Sequence, residues 1–370
     1  MSKVLELTFG IVGVALVLIM SSDLFQSVIL PRPAYTWRAS AQIVPRVWQI
    51  VGIVGLRIRD AERREALYSV FAPAMLVTLI IFWITGLVLG FGFIFYALRV
   101  GLKPEPTNYW AAAYYAGTSM LTLGYGDIVG ESGLTRALSL VAAAVGLATF
   151  AIVTAFFFAL FSAFQRREQF IVAMRERTGA PPSGVDLLER HVALEMVDEL
   201  PVVFRRAEEW MADLMETHLA YPMLSYFRST HDNQSWIGTI GALLDASALL
   251  ITTVDAGAVG SSKMLNRLGR HLVNDFTSYY RFEDEIGAVG IERDEFASAH
   301  ARLEAMGLKM RNLDEAWNAF AALRATYAEP LNAMALYWRI PPALWIGDRS
   351  IVTRHTPIAQ RSAAEESRLG

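Results

Sequence analysis

The 370-residue chain contains no cysteine. This excludes a disulfide framework, a thiolate zinc site and a thiol catalyst. Charge is sparse: Asp, Glu, Lys and Arg together make up 19% of the residues, and the net charge is −3. With a balance so close to neutral, no nucleic-acid partner is suggested. The six histidines are scattered. His191 precedes Glu195 at helical spacing, but nothing clusters with them as metal ligands do, so a solvated helix surface is expected there. With no nucleophile–base or metal constellation in view, no enzyme activity and no cofactor are expected. Strand signals are scarce in the second half, which has neither a Gly-x-Gly-x-x-Gly after a strand nor a β-roll pattern. Nucleotide-binding regulatory modules are therefore not expected.

What the chain has is apolar length. Hydrophobic residues are 54% of the total and the mean hydropathy is +0.34, with the excess concentrated in the first 165 residues. Phe71–Leu98 and Leu138–Phe164 are apolar and free of charge, and each exceeds the ~20 residues that cross a bilayer as a helix. Leu5–Leu30 is a third such run, interrupted by Ser21, Ser22, Asp23 and Gln26. It lacks a convincing small-x-small cleavage site and reads as a retained helix rather than a signal peptide. Asp23 either faces another helix or an Arg, or sits at the water interface; the interface is the expectation. Ile43–Ile58 is apolar with flanking arginines, contains Trp48 and carries Pro45 as a break. It is expected to lie at the membrane surface rather than cross.

Between the two charge-free runs, Asn108–Leu121 fits a helix too short to span. Thr122-Leu123-Gly124-Tyr125-Gly126-Asp127 follows. The segment resembles the selectivity filter of the tetrameric pore-loop potassium channels, with Leu123 where Val is most common. The resemblance to the bacterial two-helix type covers roughly residues 70–165. It implies an all-α membrane protein whose pore is formed by two transmembrane helices and a re-entrant pore loop. To that pore this chain adds an N-terminal transmembrane helix and an α-helical cytoplasmic domain. The glycines at 124 and 126 permit backbone angles denied to other residues, so successive carbonyls can point toward one axis. Those of Thr122, Leu123, Gly124 and Tyr125, with the Thr122 hydroxyl, would replace the hydration shell of K+, the permeant ion. Asp127 would sit at the outer mouth. Tyr114, Tyr115 and Thr118 fall where pore-helix residues support the filter. Gly146 matches the family's inner-helix hinge, although close packing explains a small residue equally well. Phe150, Thr154, Phe158 and Ser162 continue below it at helical spacing. The resemblance places Phe158 near the bundle crossing, while a lipid-facing or core role is the alternative. One chain supplies one loop, so a homotetramer is implied.

Charge sets the expected topology. Arg32, Arg38, Arg46, Arg57, Arg59, Arg63 and Arg64 lie between the first and second runs, and Arg166, Arg167, Arg175 and Arg177 follow the last. The positive-inside rule places both groups in the cytoplasm of a bacterial inner membrane, with the N-terminus outside and three crossings. The basic segment 32–67 is then suited to anionic lipids. The expected organisation is a first helix over 1–31, a basic interfacial segment over 32–69 and a pore domain over 70–165. A linker over 166–184, a cytoplasmic helical domain over 185–341 and a mobile tail over 342–370 follow.

Within the helical domain, helices are expected over about Asp186–Leu200, Val202–Leu219, Gln234–Val254, Ser262–Tyr280, Arg293–Met310 and Asn312–Trp338, the last broken at Pro330. Ile237–Val254 is apolar enough to suggest a span, but Asp245 favours a buried soluble helix. Arg228, Ser229, His231, Asp232, Asn233 and Trp236 form a polar, aromatic group in which Asp232 or Asn233 is expected to cap the next helix. Two functions follow. The first is a potassium channel assembled or gated by this domain. The second is a channel-derived sensor or scaffold whose helical domain binds a partner.

Overall fold

The computed structural model describes residues 3–30, 38–231, 233–255, 259–280 and 291–340. Arg32, Asp232 and the tail after Pro342 lie outside these. Helices dominate the described residues: α1 (Lys3–Val28), α2 (Ala39–Arg57), α3 (Ala61–Ala97), α4 (Tyr109–Met120), α5 (Gly133–Thr178), α6 (Gly184–Ala193) and α7 (Leu200–Ala220). They continue as α8 (Trp236–Thr252), α9 (Val259–Tyr280), α10 (Arg293–Ala305), α11 (Leu313–Ala325) and α12 (Ala328–Tyr337). Two two-residue strands, β1 (Leu102–Lys103) and β2 (Val129–Gly130), pair antiparallel with Leu102 opposite Gly130. The chain forms two compact units. The first holds residues 1–162 and 220–227, and the second holds the remainder.

In the first unit, α1, α2, α3 and α5 are each long and apolar enough to cross a membrane. In hydrocarbon only intra-helical bonding satisfies the backbone, which is why apolar runs of this length become helices. By length and composition α2 is thus a candidate span beside the three expected crossings. The expected break at Pro45 does not occur, because α2 is continuous through it. Near the helix start a proline removes one bond and leaves the rest of the ladder intact. Trp48 of α2 is buried against Tyr68 and Phe71 of α3, with ring centroids 5.5 Å and 4.9 Å away.

The helices α1 and α3 pack closely through glycine. A side chain at Gly13 would begin 2.6 Å from the Gly90 carbonyl, and one at Gly90 would meet Val17 at 2.8 Å. Gly86 and Gly90, four residues apart, give α3 the small-residue stripe along which membrane helices approach. One turn further, the expectation for Asp23 is overturned: it is buried, not at the water interface. Trp83 donates its indole N–H to the Asp23 carboxylate at 2.7 Å, and the Ser40 backbone N–H approaches it at 3.3 Å. A carboxylate in an apolar bundle is stable only with such donors. Here one side chain ties α1 to α3 and to the first turn of α2.

In the second unit, residues 166–178, expected as linker, are the end of α5. The first expected helix ends early. Glu195 adopts φ +56°, and α7 starts at Leu200 with Pro201 in its first turn, where a missing N–H costs nothing. His191 is not on a solvated surface. It is buried, with Arg177 2.9 Å from its Nε2. Burial of the ring, mainly, lowers its pKa. The cap of α8 is Ser235, whose hydroxyl accepts from the Gly238 N–H at 2.9 Å; Asn233 instead takes φ +57° in the turn before. As expected, α8 is a buried helix. Asp245 is 1% exposed and accepts from Arg324 at 3.0 Å and from the Tyr327 hydroxyl at 2.7 Å. The break in the last helical stretch falls at Thr326–Tyr327, and Pro330 sits in the first turn of α12. The first-turn N–H groups lack intrahelical partners, so proline starts this helix rather than ending one.

Candidate functional site

The short helix α4 begins at Asn108, whose side chain accepts from the Ala111 N–H at 3.0 Å. Its 12 residues make a rod of about 18 Å. It is fixed against α3 and α5 on several sides. A side chain at Gly92 of α3 would begin 2.9 Å from Ala113, and Tyr109 donates to the Leu89 carbonyl at 3.1 Å. Tyr115 is buried, with its ring edge-on to Phe95 at 4.9 Å and its hydroxyl 2.6 Å from that of Ser139 on α5. Thr118 is buried too, and its hydroxyl bonds back to the Tyr115 carbonyl at 3.0 Å. The Tyr115 side chain thus ties the rod to α3 and α5. Tyr114 is exposed.

The loop 122–127 hangs from the end of this rod. The Thr118 carbonyl accepts from Leu123 N–H at 2.9 Å and from Gly124 N–H at 3.3 Å. Thr122 has φ +56°, Gly124 φ +56° and Gly126 φ +81°, whereas Leu123 and Tyr125 remain at negative φ. Positive φ at every second residue gives a backbone that is neither helix nor strand. Thr122 adopts the left-handed region without being glycine, a local strain of about 1–2 kcal/mol. Such strain concentrates at functional sites. Residues 122–127 are exposed in the single chain, and a Cβ at Gly124 or Gly126 would meet nothing within 4 Å. Glycine is therefore required there by backbone angle, not by space.

Below the loop, α5 passes the end of α4 so closely that a Cβ at Gly146 would lie 2.0 Å from the Met120 carbonyl. The helix continues unbroken through Gly146. Of the two expected roles, close packing is the one the geometry displays. Phe150 and Phe158 are exposed, as is Ser162; Thr154 is half-buried and bonds back to the Phe150 carbonyl at 2.8 Å. The four lie at helical spacing on α5. Sequence reasoning missed Thr122's left-handed backbone, the Ser139 partner of Tyr115 and the Gly92 contact. Ser139 and Gly92, small residues in charge-free apolar runs, were the available signals.

Residues 83–163 match the family model described as "Ion channel". That segment contains α4, the loop and the α5 residues to Ser162. An uncharacterized membrane protein of Bacillus subtilis (strain 168), YdjJ, is 22% identical over 182 residues, which are 48% of this chain and 52% of that protein. The chain therefore spans about half the length of the curated relative it matches. No solved structure matches it. The protein is a helical, multi-pass membrane protein that carries an ion-channel-type domain.

Proposed function

We propose that this chain is one subunit of a potassium-selective channel in which four copies bring their Thr122–Asp127 loops around one axis. The observation that carries the reading is the alternating backbone of Thr122, Gly124 and Gly126 at the end of a short, rigidly packed helix. Four such loops would offer rings of carbonyl oxygens from Thr122, Leu123, Gly124 and Tyr125 in place of water around K+. Asp127 would lie at the outer mouth and attract cations. Conduction is passive, across a bacterial inner membrane.

On this reading the helical second unit is cytoplasmic and sets assembly or open probability. The helix α2 lies at the inner surface. Its exposed face carries Arg46 and Arg57 at the ends and Ile50 and Ile53 between them, which suits headgroup level and anionic lipid better than a crossing. The test is electrical recording of the purified protein in planar bilayers, with K+ and then Na+ as the main cation. A reversal potential that follows the K+ gradient is expected. Equal permeability to the two ions overturns the proposal.

A further inference from the structure

Where α5 continues into the second unit, it carries a buried charged node that a filter and a pore do not require. Arg167 and Glu168 are adjacent on α5 and both buried, with Arg167 Nη2 3.0 Å from Glu168 Oε1. Arg167 Nη1 lies 3.3 Å from Nε2 of His218 on α7, which is fully buried. The guanidinium can only donate, so His218 accepts at Nε2 and is neutral. The second Glu168 oxygen accepts from the Ser229 hydroxyl and, at 3.2 Å, from the Thr230 backbone N–H. Among the described residues, five from α5, α7 and the 229–230 loop join in one hydrogen-bonded network. A buried ion pair of this kind seldom adds net stability over apolar packing of the same volume. What it does impose is geometry, because breaking either half strands a charge. An apolar contact would let α5 rotate or slide; this network holds it at one angle.

We propose that Arg167 and Glu168, held by His218, Ser229 and Thr230, are positioning residues that set the rotation of α5 and thereby the open–closed equilibrium of the channel. The proposal rests on the channel reading above. The transmission is covalent and local: Phe158 and Ser162 lie on the same unbroken helix, nine and five residues before Arg167. A rotation of the helix about its axis at 167 therefore turns them as well. Arg166 is the neighbouring cation. It is exposed and pairs with Asp213 at 3.0 Å.

The test uses the full-length protein in planar bilayers, comparing wild type with Glu168→Gln, Ser229→Ala and the double variant. Glu168→Gln removes the charge but keeps the shape, whereas Ser229→Ala leaves the ion pair in place and removes one donor. The expected result is a shift of open probability of about tenfold or more for Glu168→Gln and a few-fold for Ser229→Ala. The double variant should lie near Glu168→Gln alone, as residues sharing one contact do not add. Single-channel conductance and K+-over-Na+ permeability should not move. Unchanged open probability in a folded Glu168→Gln protein, or fully additive effects, overturns the proposal. If Glu168→Gln does not assemble, Ser229→Ala alone decides, and no shift in it is a refutation. A second readout separates failure of the node from failure of the channel reading. Because the chain has no cysteine, spin labels on cysteines introduced at Gln169 and Glu216 report the α5–α7 distance directly. A distance broadened by Ser229→Ala in a protein that passes no current supports the helix-positioning part and discards the channel. An unchanged distance discards the node.

Discussion

At the scale of single residues, function and stability place opposite demands on backbone and charge. Gly126 at φ +81° has empty space around it, so Gly126→Ala acts only through the backbone. The cost of a left-handed alanine is about 1–2 kcal/mol per copy. The loop should leave this conformation, and K+ selectivity or conduction should fall sharply while expression and assembly persist. Bilayer recording beside size-exclusion chromatography checks both halves. In the second unit, Arg324→Ala would leave Asp245 buried without its cation, a loss of about 3–5 kcal/mol. Asp245→Leu combined with Arg324→Leu should cost markedly less, and denaturant unfolding of the three proteins tests the order.

His218 makes stability depend on pH. Its burial, first, and the neighbouring Arg167, second, hold its pKa well below the ordinary value of 6.5. The unfolded chain therefore takes up a proton near pH 6.5 while the native chain does not, so stability is full above that pH and declines as pH falls below it. His191 acts in the same direction. The thermal midpoint should drop between about pH 7 and pH 5, with a shallower slope in His218→Gln. Each such group contributes at most about 1.4 kcal/mol per pH unit. An unchanged slope would show that the ring is protonated or accessible in the native protein.

At the scale of elements, α1 lies outside the ion-channel segment. Glycine contacts and the Asp23–Trp83 bond hold it to α3. Gly90→Leu would drive a side chain into Val17 and the α1 backbone, and Asp23→Leu would leave the Trp83 and Ser40 donors unanswered. Gly90→Leu should separate the helices and Asp23→Leu should loosen them. Disulfide cross-linking between cysteines at Gly10 and Ala97, whose Cβ positions lie 3.7 Å apart, reads this directly. Full cross-linking in Gly90→Leu would refute the packing account. Much of this element scale was legible. Apolar length announced α1, α3 and α5, and Asn108 followed by Tyr109 to Met120 announced α4. The run of basic residues around α2 was equally plain, but the burial of Trp48 against Tyr68 and Phe71 was not, as these are remote in sequence.

For the whole molecule, the channel reading requires four chains and one orientation. Mass measurement in detergent or nanodiscs should give four times the 41.1 kDa subunit, and a stable monomer or dimer would be incompatible with a carbonyl ring. Ser40 is a poor topology reporter because it is buried beside Asp23, whereas Ala61 is exposed. A cysteine at Ala61 should resist an impermeant reagent outside intact cells and react after permeabilisation. Labelling from outside would invert the topology.

The sequence alone determined the features whose causes are local or compositional. In lipid an apolar run has no alternative to a helix, and Thr-Leu-Gly-Tyr-Gly-Asp carries its unusual backbone in its glycines. Tertiary structure decided the rest. It decided that Asp23 is buried, that Gly146 is in contact with Met120, that Ser235 rather than Asn233 caps α8, and that Pro330 opens a helix. It also decided that Arg167 and Glu168 are buried in one hydrogen-bonded network, whereas Arg166 beside them is exposed. Each of these turns on a partner tens or more residues away or on competition between neighbouring caps. A buried polar group is decided by which donors the fold brings to it, and no periodicity along one strand of sequence encodes that.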